Sequence, residues 1–328
     1  MRMTGFFVYL KKGGNKMSVI TEQVVKMKFA KKYEGYEIVP HPEHKRLYHI
    51  VLDQQLLQQF FAEVKEHSEQ SLQYIPYSRF ILADQMKKFF GESFMENVRG
   101  IIHDRETGGF TIGVQGETID AGDYVKFATA LTHLIGTPNF DAMTGTYYAR
   151  FNVKDTDGSD SYLRQAYRLF TLHTDGTFVD EPTDWLLMMK FEEKNAVGGE
   201  SRLLHLDDWE ELEKFRKHPL ASVKITYKAP PSKNAQEIVY RETFFDVNNA
   251  PCICFIDQFV YPDNIEQATY LKELSHSVEN SPATHALKLP VGDLVLLNNL
   301  FWMHGRAPFE KNKDLYRELM RQRGCFSK

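Results

Sequence analysis

The chain has 328 residues, 40 Lys and Arg against 44 Asp and Glu, a formal charge of -4 and 42% hydrophobic residues. That length admits one large domain or two ordinary ones, and the composition excludes both the signature of disorder and a basic nucleic-acid-binding field. Three cysteines, two of them in Cys252-Ile253-Cys254, are too few for a disulfide scaffold. No run approaches the ~18 apolar residues that cross a bilayer. The expectation is a cytoplasmic protein with no membrane or nucleic-acid partner.

Taken in chain order, the apolar run Phe6 to Leu10 is too short for a secretion signal and no small-residue cleavage pattern follows it. Residues 1–16, which end in Lys11-Lys12-Gly13-Gly14-Asn15-Lys16, read as a loose or extended start, and 17–328 as a single domain. A strand is predicted over 47–52. Asp53 then caps a helix whose apolar positions Leu56, Leu57, Phe60, Phe61 and Val64 share one face. A second helix is predicted over 122–135, ended by Gly136-Thr137-Pro138.

From about 145 the hydrophobic period changes to two. Short strands are predicted near 145–153, 166–173, 184–191, 201–206, 221–228, 237–245, 251–259, 285–289, 294–302 and 315–326. Asp207-x-x-Glu210 and Asp263-x-x-Glu266 resemble capping boxes ahead of two helical insertions. The pattern predicts a mainly β fold with flanking helices, a sandwich or jelly roll.

No G-x-S-x-G, P-loop or dinucleotide fingerprint occurs, and Gly198-Gly199 reads as a turn between strands. Histidine and carboxylate chemistry remains. A redox iron that must also hold O₂ and a chelating cosubstrate is suited by two His and one carboxylate on one face, with three positions open. His-x-Asp on a strand offers two such ligands, because residues two apart project together. With 12 His in the chain, chance alone gives roughly 0.7 such pairs, and there are two.

In His205-Leu206-Asp207 the carboxylate has a capping task at the start of a helical pattern, and His205 reads as a packed strand-end histidine. His173-Thr174-Asp175 follows a strand-like run and precedes Gly176, with no helix to cap. His304, after the apolar run 294–302, is the candidate third ligand. On the closing segment 315–326, Arg321 and Arg323 share a face and suit a carboxylate; a solvated basic edge strand is the blander reading.

His173-x-Asp175, the distal His304 and an arginine on the closing strand resemble the iron(II)- and 2-oxoglutarate-dependent oxygenases of the taurine-dioxygenase and clavaminate-synthase type. Tyr147-Tyr148-Ala149-Arg150-Phe151, Ser161-Tyr162-Leu163-Arg164-Gln165, Gly198-Gly199-Glu200-Ser201, Leu204-His205-Leu206-Asp207-Asp208-Trp209, Phe301-Trp302-Met303-His304-Gly305-Arg306 and the segment Arg317 to Gly324 resemble, within them, the carbon-starvation-induced glutarate 2-hydroxylase family. The resemblance implies a double-stranded β-helix, a homotetramer, and hydroxylation of glutarate with O₂ and 2-oxoglutarate as cosubstrates, yielding (S)-2-hydroxyglutarate, succinate and CO₂.

It also implies Fe(II) held by His173, Asp175 and His304, and a hydroxyl at Ser201 that helps hold 2-oxoglutarate. Arg317, Arg321 and Arg323 compete for the cosubstrate carboxylate; Arg323 is favoured, with Arg321, Arg150 and Arg164 as the candidate contacts of a dicarboxylate substrate. The same chemistry on another small carboxylate or sulfonate, and a metal-binding jelly roll without oxygenase activity, are the alternatives.

Overall fold

The protein is described here by a computed structural model over residues 27–141, 144–156, 165–229 and 238–327. The expected loose start, 1–16, and Arg164 lie outside the described residues. The N-terminal part holds β1 (Lys31–Lys32), β2 (Tyr36–Pro40), β3 (Tyr48–Leu52), α1 (Gln54–Glu63), α2 (Glu69–Tyr74), α3 (Tyr77–Phe90), α4 (Glu92–His103), β4 (Gly109–Gly113), α5 (Ala121–Ile135) and β5 (Gly136–Pro138). Then come β6 (Ala149–Lys154), β7 (Phe170–His173), β8 (Trp185–Lys194), β9 (Ser201–His205), α6 (Leu212–Arg216), β10 (Lys224–Lys228), β11 (Ile238–Glu242), β12 (Phe244–Val247) and β13 (Ala250–Ile253). The chain closes with β14 (Val260–Tyr261), α7 (Ile265–Glu279), β15 (His285–Leu287), β16 (Asp293–Asn298), β17 (Trp302–Arg306) and β18 (Tyr316–Phe326).

Asp53 caps α1 as its sequence indicates, its side chain accepting from Leu56 N at 3.0 Å. Asp120 does the same for α5, accepting from Asp123 N. Three expectations are corrected. The run 294–302 is two strands in different sheets, because Asn298 turns its side chain back onto Leu300 N and breaks the ladder before β17 begins. Asp207 caps nothing: His205 is the cap residue of the short 3₁₀ turn Leu206–Asp208, its ring accepting from Asp207 N at 3.1 Å. The second capping box is replaced by a simple cap one residue later than predicted, with Asn264 accepting from Gln267 N.

A nine-stranded sheet runs β1-β2-β3-β4-β16-β8-β18-β5, with β6 also on β18. A four-stranded sheet runs β15-β9-β17-β7. Alternation along β8 sends Leu187, Met189 and Phe191 into one core with α1 to α5, and Leu186 and Met188 into a second core with Leu203, Met303 and Trp302 of the smaller sheet. Sandwiched between helices and a second sheet, the stretches 185–189 of β8 and 294–297 of β16 have no solvent face, so they run apolar instead of alternating. The second core and the face of the smaller sheet that carries His304 frame the candidate site.

Candidate metal centre

His304 on β17 stands directly opposite His173 on the antiparallel strand β7. Facing residues on neighbouring strands share a side of the sheet, so the two imidazoles meet, with ring centroids 4.2 Å apart. Gly305 permits this approach: a Cβ there would lie 2.5 Å from the Phe170 carbonyl oxygen. Asp175 follows two residues after His173, beyond the end of β7. One ligand atom from each of His173, Asp175 and His304 lies within 4.8 Å of the others, and no second group of three metal-ligating side chains occurs among the described residues.

Their free valences point to a ligand. His173 Nδ1 donates to the Thr171 carbonyl at 2.7 Å, which orients the ring and leaves Nε2 as an acceptor. His304 Nδ1 is buried without a partner, as is Asp175 Oδ2; Asp175 Oδ1 accepts from Arg321 Nη1 at 3.1 Å. Burial pushes the His304 ring down to about 3 and lowers His173 in the same direction. Burial alone opposes ionisation of Asp175, but the neighbouring charges, Arg321 foremost, hold its carboxyl well below the usual carboxylate range. Two neutral imidazoles and one carboxylate are thus in the protonation states that bind a metal without releasing a proton.

Arg321 is fully engaged at its tip, with Nη2 donating to Asp141 Oδ2 at 2.9 Å and its guanidinium lying over the Phe151 ring. Arg323 is buried on the same face of β18, has no partner at Nε, and forms no ion pair among the described residues. No hydrogen bond links Arg323 to Ser201 among the described residues. Ser201 on β9 stands opposite Arg306, and the turn leading into it is gripped by Arg317, whose Nη1 donates to the Gly199 carbonyl. Gly198 and Gly199 both adopt positive φ, +80° and +71°, so this turn depends on glycine. Arg306 and Arg317 flank the Phe309 ring, both with an unpartnered Nε. Burial pushes Arg306 down to about 10, with the charge of Arg317 adding to the shift.

Arg150, expected to contact substrate, is corrected. It stands opposite Met320, which packs on the helix side of β18, and it donates to Glu318 Oε1 at 2.6 Å. Strand alternation therefore sends it to the face away from Asp175. Asp141, Asn299 and Arg306 were not singled out by sequence. The signal for Asn299 is the pair Asn298-Asn299 inside an apolar run; Asp141, on an irregular segment, leaves none.

Residues 36–326 match the CsiD family, the same family that the sequence motifs resemble. The chain belongs to the CsiD family. Among solved structures it is similar to an asparagine oxygenase in complex with Fe(II), 2S,3S-3-hydroxyasparagine and succinate, at a TM-score of 0.67 and 13% identity over 83% of this chain and 90% of that one. It is likewise similar to the non-heme iron oxygenase OrfP in complex with Fe and alpha-ketoglutaric acid, at a TM-score of 0.63 and 14% identity over 83% and 90%. At these identities the likeness is one of fold: mainly β, with seven helices among the described residues. No helix among those residues is long and apolar enough to cross a membrane.

Proposed function

We propose that this CsiD-family protein is an Fe(II)- and 2-oxoglutarate-dependent hydroxylase with a double-stranded β-helix core, acting on glutarate to give (S)-2-hydroxyglutarate, succinate and CO₂. The observation that carries the reading is the buried His173-Asp175-His304 cluster with atoms lacking any protein partner. This donor set fits iron that keeps coordination positions open. Iron(II), when bound with 2-oxoglutarate and O₂, supplies the oxidising power that converts a substrate C–H into C–OH.

The rest is done by side chains of this chain. His173, Asp175 and His304 would hold the metal, with Thr171 and Arg321 fixing the orientation of the first two. Arg317 and Ser201, with the half-buried Arg306 beside them, would form the end of the site suited to the far carboxylate of 2-oxoglutarate, since Arg317 is buried and both guanidinium groups meet main-chain carbonyls rather than carboxylates. Arg323, near Asp175, is the cation available to a substrate carboxylate; its replacement by lysine would lose a planar two-point contact. An α-amino carboxylate is the second reading, favoured by the Asp141 carboxylate beside Arg321, which could accept from an ammonium.

The test is an anaerobic titration with Fe(II) and 2-oxoglutarate, followed by O₂ and a screen of succinate, glutarate, adipate and amino acids. Glutarate should give succinate in step with a product one oxygen heavier. Tight coupling with an amino acid and none with glutarate would replace the substrate while leaving the iron chemistry in place.

A further inference from the structure

Asp175 has a difficulty that the two histidines lack. His173 and His304 sit on paired strands whose ladders fix their main chains, whereas Asp175 lies past the end of β7 with no strand beside it. A single carboxamide replaces the missing strand. Asn299 Oδ1 accepts from Asp175 N at 2.9 Å, and Asn299 Nδ2 donates to Asp175 O at 3.0 Å. The second proton of Nδ2 goes to Thr183 O at 2.7 Å, closing the other end of the same loop. Asn299 is itself fixed: it is 4% exposed, and its own N–H donates to Asp184 O at 2.8 Å. Both donor protons and the acceptor of the amide are thus spent on the loop that carries Asp175, as a neighbouring strand's peptide would be.

We propose that Asn299 is a positioning residue for the metal centre, clamping the main chain of Asp175 so that its carboxylate is aimed before any metal arrives. This rests on the metal reading of the cluster. Asn299 lies five residues before His304 in one continuous segment, so the clamp also ties the carboxylate ligand to the distal imidazole.

The adjacent residue supplies a control. Asn298 is buried to the same degree, 3% exposed, and its amide is also spent on main chain, donating to Ile102 O and accepting from Leu300 N, both at 3.0 Å. None of its bonds reaches the Asp175 loop. Co(II) would be titrated into wild type, Asn299→Ala, Asn299→Asp and Asn298→Ala, followed by its visible absorption, at a temperature where circular dichroism shows each variant folded. Asn299→Ala should lose about 10–100-fold in Co(II) affinity, the range measured for lost supporting contacts at metal ligands, with an altered absorption envelope. Asn299→Asp, which keeps the acceptor and removes both donors, should lose affinity too. Asn298→Ala should melt lower yet bind Co(II) as wild type does.

Unchanged Co(II) affinity in Asn299→Ala, or an equal loss in Asn298→Ala, would overturn the proposal. If wild type binds Co(II) but turns over no 2-oxoglutarate, the oxygenase reading fails while the clamp stands. Absence of binding by wild type removes both.

Discussion

Two segments of this chain carry the same His-x-Asp spacing at the end of a strand of the same sheet, and the structure gives them opposite tasks. In 205–207 both ring nitrogens are consumed by main chain: His205 Nε2 donates to Arg105 O at 2.9 Å and Nδ1 accepts from Asp207 N at 3.1 Å. Asp207 turns its carboxylate outward onto the Arg105 guanidinium. In 173–175 one ring nitrogen is bonded to main chain, the other is left as an acceptor, and one carboxylate oxygen is left buried without a partner. A histidine with both nitrogens satisfied is a structural pin, and one held by a single nitrogen is a ligand in waiting. Spacing selects candidates, and the hydrogen-bond inventory separates them.

The sharpest way to break this contrast is to remove the two carboxylates. Asp175→Ala should abolish metal binding and 2-oxoglutarate turnover, a larger loss than the ~10–100-fold that supporting contacts cost, in a protein that remains folded by circular dichroism. Asp207→Ala should keep normal metal affinity and lose at most about 1 kcal/mol in chemical denaturation, since its ion pair with Arg105 is partly exposed. Next in size is His205→Ala, which empties a fully buried site and should cost about 2–5 kcal/mol while Co(II) affinity, measured below its melting temperature, stays that of wild type. A silent Asp175→Ala beside a metal-free Asp207→Ala would exchange the roles of the two segments.

The arginines extend the contrast to the two ends of the site. Arg317→Lys should raise the KM for 2-oxoglutarate by roughly tenfold or more, and Arg323→Lys that for the proposed dicarboxylate substrate, as each would lose about 1–3 kcal/mol of a buried two-point contact. Reversed phenotypes in steady-state kinetics would restore the cosubstrate to Arg323.

A further effect, independent of the metal centre, concerns a half-buried carboxyl that lacks what Asp175 has. With no ion pair among the described residues, Asp293 is raised by burial from 3.8 to about 6. A raised carboxyl contributes stability below its unfolded value, near pH 4, and loses it as pH rises through 6. Asp293→Asn should therefore be more stable than wild type at pH 7 by about 1–2 kcal/mol, after discounting for partial exposure, and the difference should vanish below pH 4. Parallel denaturation curves across that range would contradict this account of the shift.

The sequence made β3, α1, α5 and β18 legible because each has a clean period, with a true cap at Asp53 for α1 and a Gly136-Thr137-Pro138 stop for α5. It did not show α3, whose exposed Tyr77, Phe80 and Ile81 blur the apolar stripe. It also merged β16 with β17, since a buried turn of Asn299, Leu300 and Phe301 carries no glycine or proline to punctuate the run. Within the site, His173, Asp175 and His304 could be found because ligand chemistry restricts residue type and spacing. The positions of Arg150 and Arg317 depend on strand parity and on the irregular register between Glu318 and Leu319 of β18, which no local pattern reveals. Asn299 acts on main chain from across the fold, so only its placement shows its task.

The most direct test is optical and needs no knowledge of the substrate: anaerobic addition of Fe(II) and then 2-oxoglutarate, watched for the visible charge-transfer absorption that a chelated 2-oxo acid gives on ferrous iron. The band should grow to one iron per chain in wild type and in Asp207→Ala, and should not form in Asp175→Ala. A full band in Asp175→Ala, or its loss in Asp207→Ala with the fold intact, would contradict the assignment of the metal centre to His173, Asp175 and His304.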